Sequence, residues 1–134
     1  MELKPVPATT RGPATTFTGD VYVDLVYRGE EPSRMIVSRV RFTPGARTNW
    51  HSHTLGQTLH VTEGVGLVQT RDGRTITLRP GDTVHTPPGE EHWHGATAGN
   101  LMSHLAMFEG DGSGDGTSWR EPVTDEQYHA AHQQ

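Results

Sequence analysis

Three residues in one short segment have the types and spacing of ligands for a single metal ion. His51 and His53 are two residues apart, and side chains at that spacing project to the same face of a β-strand. Gln57 follows in an alternating run that places His60 on the opposite face. Neutral imidazole is the commonest protein metal ligand, and a carboxamide oxygen adds a hard donor. The segment therefore predicts three of the ligands of a mononuclear site.

A second histidine cluster lies in residues 81–95, beside glycines and prolines that can turn the chain. His92 is predicted to be the fourth ligand. Three imidazoles and one carboxamide carry no charge, so one divalent ion held by them would keep its full formal charge and be a strong Lewis acid. His94 shares the inward face with His92, but a fifth protein ligand would crowd out substrate. His94 is therefore predicted to be an acid or base, or else to hold a ligand by a hydrogen bond.

His104 is a further candidate, because its position in an apolar run allows it to face the protein interior. A histidine with a pKa near neutrality can move a proton at physiological pH. His94 and His104 together could supply both directions of proton transfer. The alternative for His104 is a hydrogen-bonded core residue.

The elements that position these residues are predicted to be short strands. Residues 21–27 alternate only in part, whereas residues 35–42 have the β-branched character of a strand. Further strands are predicted at 57–61, 66–70, 75–78, 83–86 and 101–108, with a hairpin turn at 71–74. Short strands separated by turns imply an all-β antiparallel barrel.

One domain is predicted to span residues 1–134. An N-terminal arm covers residues 1–19, and a mobile Gly-rich loop covers residues 109–118. A helical tail is expected at 123–134, with a short helix capped by Thr124.

Composition narrows the classes of function. A net charge of −5 without a block of Lys or Arg argues against nucleic-acid binding. The start of the chain lacks an apolar signal segment, and no run is long enough to span a bilayer, which predicts a cytoplasmic protein without membrane contact. The lack of cysteine excludes thiolate ligands and a cysteine nucleophile. A homodimer or homotetramer would help to bury apolar surface in a chain of this size.

Two stretches follow the consensus motifs of the cupin superfamily. The first motif has glycine, five residues, His-x-His, three or four residues, glutamate, six residues and glycine. Its positions are occupied here by Gly45, His51, His53, Gln57 and Gly64, so glutamine replaces the usual glutamate. The second motif is met by Gly81, Pro87, Gly89 and His92, with Ala96 in place of the customary asparagine. The chain thus resembles a cupin, which implies a double-stranded β-helix, or jelly-roll barrel.

A closer resemblance links the chain to small bacterial cupins that act as manganese-dependent hydroxynitrile lyases. The matching segments are residues 44–53, 55–59, 88–95, 103–106 and 123–128, and they include the glutamine ligand. Cupins of the carboxymuconolactone-decarboxylase-associated type look much the same. The lyase resemblance implies cleavage or formation of cyanohydrins, such as mandelonitrile from benzaldehyde and cyanide.

The resemblance also implies roles for the site residues. Manganese is the implied ion, with iron, zinc, nickel or copper as alternatives. Either His94 or His104 would remove the hydroxyl proton of an aromatic cyanohydrin, and the other would protonate or hydrogen-bond the departing cyanide. The predicted substrate pocket consists of Ser38, Val40, Trp93 and Phe108. Trp93 has a packing role beside the ligands as its alternative.

Two other classes of function remain open. Histidine ligands are equally suited to activating dioxygen on iron or copper, so a dioxygenase that cleaves an alkene or a phenolic substrate is one alternative. Oxygen consumption would distinguish it from a lyase. The other alternative is a noncatalytic cupin that binds a small molecule, which would show tight binding without product.

Overall fold

The computed structural model describes residues 1–133; Gln134, the last residue of the predicted tail, lies outside the described residues. Thirteen strands and one helix form within this range. The strands are β1 (Thr10–Arg11), β2 (Phe17–Thr18), β3 (Val21–Arg28), β4 (Met35–Phe42), β5 (Arg47–Thr48), β6 (His51–His53), β7 (Gln57–Gly64), β8 (Gly66–Thr70), β9 (Thr75–Leu78), β10 (Thr83–Thr86), β11 (His92–Ala96), β12 (Met102–Glu109) and β13 (Thr117–Trp119), and the helix is α1 (Asp125–Ala131).

The strands form two antiparallel sheets. One sheet has the order β1-β3-β4-β12-β7-β10, and the other has the order β13-β6-β11-β5-β2, with β8 joined to β11 and β9 to β8. Apolar side chains from both sheets meet in one buried cluster, in which Val40 and Leu59 from the first sheet accompany Val68 and Ala96 from the second. This arrangement confirms the predicted all-β barrel, and it places the interior between the two sheets.

In strand β4, apolar and charged side chains lie on opposite faces. Ile36, Val40 and Phe42 are buried inside the barrel, because alternate residues of a strand share a face. Arg39 and Arg41 point outward, where both guanidinium groups contact the buried carboxylate of Asp24. The predicted strands at 35–42, 66–70, 75–78 and 83–86 have the observed bounds.

The other predicted segments differ from the structure at one end or both. The strand predicted at 21–27 ends at Arg28, the strand predicted at 57–61 extends to Gly64, and the strand predicted at 101–108 runs from Met102 to Glu109. The Gly-rich loop was expected to run to residue 118, but Thr117 already begins β13, whose residues pair with those of β6. The N-terminal arm contains β1 and β2, which pair with β3 and β5. Strands β1, β2 and β13 have no sequence signal, because strands of two or three residues depend on partners distant in sequence and leave no alternating pattern of their own.

The predicted C-terminal helix is present as α1. Thr124 caps it, because its hydroxyl accepts a hydrogen bond from the Gln127 backbone while the Gln127 side chain accepts one from the Thr124 backbone. Tyr128 packs with Trp50 and Trp93 in a second apolar cluster outside the main core. The Tyr128 hydroxyl also donates to a backbone carbonyl in β11, which attaches the helix to the strand that carries His92.

No helix within residues 1–133 has both the length and the apolar character needed to cross a lipid bilayer.

Candidate metal centre and adjoining cavity

The three predicted histidine ligands converge in the barrel. His51 and His53 lie on the same face of β6, and β11 brings His92 directly opposite His51 in the sheet. One ring nitrogen from each of the three imidazoles lies within 4.8 Å of the other two, and all three side chains are buried. The cluster therefore has the size and the donor type of a site for a transition-metal ion.

Hydrogen bonds on the far side of each ring orient these imidazoles. Nδ1 of His51 donates to the Asn49 carbonyl at 2.9 Å, and Nδ1 of His92 donates to the Glu90 carbonyl at 2.9 Å. Nδ1 of His53 lies 3.1 Å from the Thr117 hydroxyl. The carbonyl partners place the proton on Nδ1 of His51 and His92 and leave each Nε2 lone pair available, as in metal sites of known proteins, whereas the hydroxyl orients the His53 ring.

The Nε2 atoms of the ligand histidines are also placed as acceptors for a cation. Nε2 of His53 is buried and has no hydrogen-bond partner among the described residues. Nε2 of His92 lies 3.2 Å from Oε1 of Gln57. Because Nδ1 of His92 carries the proton, these two atoms are both acceptors, and two buried acceptors that face each other are stabilised by a cation between them. The donor set of His51, His53, Gln57 and His92 thus fits a bound metal ion.

Burial keeps these imidazoles uncharged. It lowers the pKa of His51 well below the ordinary value and that of His53 to about 4, and the neighbouring histidines add to both effects. The pKa of His92 is lowered by burial as well. Neutral imidazole is the form that binds a metal, so the site does not have to lose protons before an ion enters at neutral pH.

Two glycine turns bring the ligand segments together. Gly56 has φ of 82°, and a side chain there would place Cβ 2.9 Å from the Thr86 carbonyl oxygen. The turn at Gly56 leads directly into Gln57. Gly89 has φ of 78°, and its backbone N–H donates to the His53 carbonyl at 3.0 Å. Glycine is favoured at both positions because other residues rarely adopt positive φ.

A small cavity of about 110 Å³ adjoins the histidines. Three of the four predicted pocket residues line it, namely Ser38, Val40 and Phe108. The Phe108 ring lies over His53 with a centroid distance of 4.9 Å. The cavity as a whole is lined by Phe17, Val23, Ser38, Val40, Thr48, His51, His53, Gln57, His94, Ala106, Phe108, Asp115, Thr117 and Trp119.

Trp93, the fourth predicted pocket residue, does not line this cavity. Trp93 is fully buried on the other face of β11, where it packs with Trp50 and Tyr128. Its indole N–H donates to Oε1 of Gln69 at 2.9 Å. Alternation explains the placement, since a residue between two inward histidines must point away from them.

His94 and His104 occupy different positions relative to the cavity. His94 lines it, whereas His104 lies behind His94, with its Nε2 at 3.0 Å from Nδ1 of His94. Burial lowers the pKa of His94 well below the ordinary value, and it lowers the pKa of His104 to about 4. One proton bridges two neutral rings, and the opposite nitrogens, Nε2 of His94 and Nδ1 of His104, have no hydrogen-bond partner among the described residues.

Burial of His104 predicts a pH dependence of stability in the metal-free protein. An imidazole in the unfolded chain titrates near 6.5, whereas the pKa of the folded His104 is about 4. Between these values the unfolded state binds more protons, so the free energy of unfolding falls as the pH decreases from 6.5 to 4. It is fully regained above 6.5. Near pH 4, protonation of His104 in the unfolded chain lowers the free energy of unfolding by about 3 kcal/mol.

Urea unfolding at several pH values in this window tests the expectation. The other buried histidines change stability in the same direction, so wild type is compared with His104→Gln, which cannot take up the proton. A shallower loss of stability in the variant is expected. Equal slopes in the two proteins would contradict the assignment.

Several cavity residues were not predicted from the sequence. Phe17 comes from the N-terminal arm, while Asp115, Thr117 and Trp119 come from the end of the Gly-rich loop and from β13. The Trp119 ring lies 4.6 Å from that of His51, with which it pairs in the sheet. Only the aromatic residues gave a sequence signal, as large apolar side chains in segments otherwise rich in small and polar residues.

Comparison with known proteins agrees with this geometry. The family model of the cupin domain matches residues 38–107. A protein of Granulicella tundricola named (R)-mandelonitrile lyase is 47% identical over 130 residues, which cover 96% of this chain and 98% of the relative.

Solved structures show the same fold. A cupin-like protein of Thermotoga maritima has a TM-score of 0.85 and 35% identity, with 98% of this chain and 97% of that chain covered. A polyketide cyclase of Streptomyces resistomycificus has a TM-score of 0.62 at 19% identity, with 84% and 78% covered, which shows a shared fold alone. The predicted double-stranded β-helix is thus confirmed, and the chain belongs to the cupin family.

Proposed function

We propose that this protein is a metal-dependent lyase that cleaves cyanohydrins, or forms them in the reverse direction. The observation that carries the proposal is His94, a neutral imidazole that lines the same small cavity as the candidate ligands. The relative named (R)-mandelonitrile lyase supports mandelonitrile as the substrate to test, with benzaldehyde and hydrogen cyanide as the products.

The proposed cofactor is one divalent ion held by His51, His53, Gln57 and His92. Manganese is proposed from the resemblance to the manganese-dependent lyases, and iron, zinc, nickel and copper suit the same neutral donors. When bound, the ion supplies Lewis-acid stabilisation of negative charge on a substrate oxygen.

His94 is proposed to move the proton. In cleavage, Nε2 of His94 accepts the hydroxyl proton of the cyanohydrin as the carbon–carbon bond breaks and its electron pair leaves with cyanide. The same nitrogen then returns the proton, which gives hydrogen cyanide and the aldehyde. Burial disfavours the imidazolium, so the proton is held only briefly.

His104 is proposed to act through His94. Because its Nε2 lies 3.0 Å from Nδ1 of His94, it can accept the Nδ1 proton and so present the Nε2 lone pair of His94 to the cavity. His104 does not line the cavity itself. Its proposed role is therefore to orient His94 and to stabilise the transient imidazolium.

The cavity lining favours a single aromatic ring as the organic part of the substrate. Phe17, Phe108 and Trp119 contribute aromatic walls, and Val40 and Ala106 contribute aliphatic surface. The Ser38 hydroxyl adds one polar group to this wall.

The test is release of benzaldehyde and cyanide from racemic mandelonitrile. Protein is reconstituted separately with manganese, iron and zinc, and the metal content is measured in the same samples. Turnover that requires manganese is expected. Fully metallated protein that releases no cyanide would contradict the proposal; oxygen consumption would then indicate a dioxygenase, and tight binding without product would indicate a binding protein.

A further inference from the structure

The cavity contains one charged residue that the proposed reaction does not use. Asp115 is the only Asp, Glu, Lys or Arg among the described residues that line it. Asp115 thus supplies a negative charge to the cavity wall, and the other lining side chains are apolar, hydroxyl, amide or imidazole groups.

The backbone around Asp115 holds the carboxylate near a candidate ligand. Oδ1 of Asp115 accepts a hydrogen bond from the Thr117 backbone N–H at 2.9 Å, and the Thr117 hydroxyl lies 3.1 Å from Nδ1 of His53. Gly116, with φ of 75°, accepts the Thr54 backbone N–H at 2.8 Å. The Asp115 segment is thus tied to the strand that carries His53.

The carboxylate lies at the rim and not among the ligands. Asp115 is exposed, and it is not part of the close cluster formed by the three ligand histidines. No Lys or Arg side chain within residues 1–133 lies at ion-pair distance from it. Arg28 and Arg34 share an outer groove with Asp115, but neither lines the inner cavity.

The position of Asp115 at the rim matters because the candidate metal ligands are all uncharged. A divalent ion bound by three imidazoles and one carboxamide would keep its whole formal charge, so carboxylate anions would compete strongly for its open positions. A fixed negative charge at the entrance opposes such anions and has little effect on neutral molecules.

We propose that Asp115 is a specificity-determining residue that keeps carboxylate anions out of the cavity and admits neutral substrates. The inference rests on the proposed function, since it treats the cavity beside the metal centre as the substrate site. Cyanohydrins, aldehydes and hydrogen cyanide are all neutral at physiological pH. The negative charge of Asp115, which we call the charge filter, therefore does not oppose entry of any reactant or product of that reaction.

The experiment compares two ligands of nearly the same shape, the anion mandelate and the neutral amide mandelamide. Their dissociation constants are measured by calorimetry on manganese-loaded wild type and Asp115→Asn. Asparagine retains the oxygen that accepts the Thr117 N–H, so the loop is preserved while the charge is removed. Mandelate should bind about 3- to 10-fold more tightly to the variant, with mandelamide within about 2-fold of wild type.

Glu126→Gln is the matched control, because it removes one exposed negative charge from α1 and leaves the cavity lining unchanged. It should leave both dissociation constants unaltered. The gain for mandelate should also shrink at high salt, as expected for an exposed charge. Equal affinities in wild type and Asp115→Asn, or equal gains for both ligands, would overturn the inference.

The binding measurement separates this inference from the proposed reaction. If mandelonitrile is not cleaved but the mandelate-specific gain is found, the charge filter stands and the lyase proposal fails. If cleavage is observed and the gain is lacking, the lyase proposal stands and the filter fails.

Discussion

Replacing His94 with glutamine is expected to lower kcat for mandelonitrile cleavage by about 10²- to 10⁴-fold, the usual contribution of a general acid or base. The physical reason is that His94 is the only histidine in the described cavity lining other than the two candidate ligands. Metal stoichiometry should stay at the wild-type value. Steady-state release of benzaldehyde, with metal analysis of the same samples, measures both quantities.

His104→Gln is compared with His94→Gln, because it alters the hydrogen-bond partner of His94 and keeps His94 itself. Its side-chain amide can still hydrogen-bond Nδ1 of His94 but cannot share a proton with it, so a smaller loss of kcat is expected than for His94→Gln. Wild-type kcat in His94→Gln would contradict the proposed proton transfer. A larger loss in His104→Gln than in His94→Gln would instead make His104 the principal proton carrier.

Replacing either His51 or His92 with alanine is expected to abolish stoichiometric metal binding. Each variant removes one of three buried nitrogens that lie within 4.8 Å of one another, and the remaining donors leave the site open on one side. Cleavage should fall by about 10³-fold or more, since Lewis-acid stabilisation is worth several kcal/mol. Metal analysis after dialysis against a weak chelator measures retention.

Two further variants serve as an intermediate case and a control for metal binding. Thr117→Val preserves shape but removes the hydroxyl beside Nδ1 of His53, and loss of such an outer contact should weaken metal binding by about 10-fold. His60→Ala should retain the metal, because His60 faces Thr83 on the outside of the barrel. Full metal content in both His51→Ala and His92→Ala would contradict the ligand assignment.

Local patterns in the sequence were sufficient to predict much of the barrel and the candidate ligands. Residues 35–42, 66–70, 75–78 and 83–86 form the predicted strands, because β-branched runs bounded by turn residues are a local signal. His51, His53 and His92 converge as predicted, since alternation along a strand assigns each side chain to a face before any partner is known. The same rule accounts for Trp93, the residue between His92 and His94, which points away from them.

The rest of the site depends on contacts between segments distant in sequence. Phe17, Asp115 and Trp119 reach the cavity because β2 pairs with β5 and β13 pairs with β6, and strands of two or three residues carry too few side chains to reveal such pairings. Tertiary structure also placed His104 behind His94. The sequence by itself determined which residue types could bind a metal and move a proton; the packing of the two sheets decided which of them reach the cavity, because side-chain direction is a local property and proximity across a barrel is not.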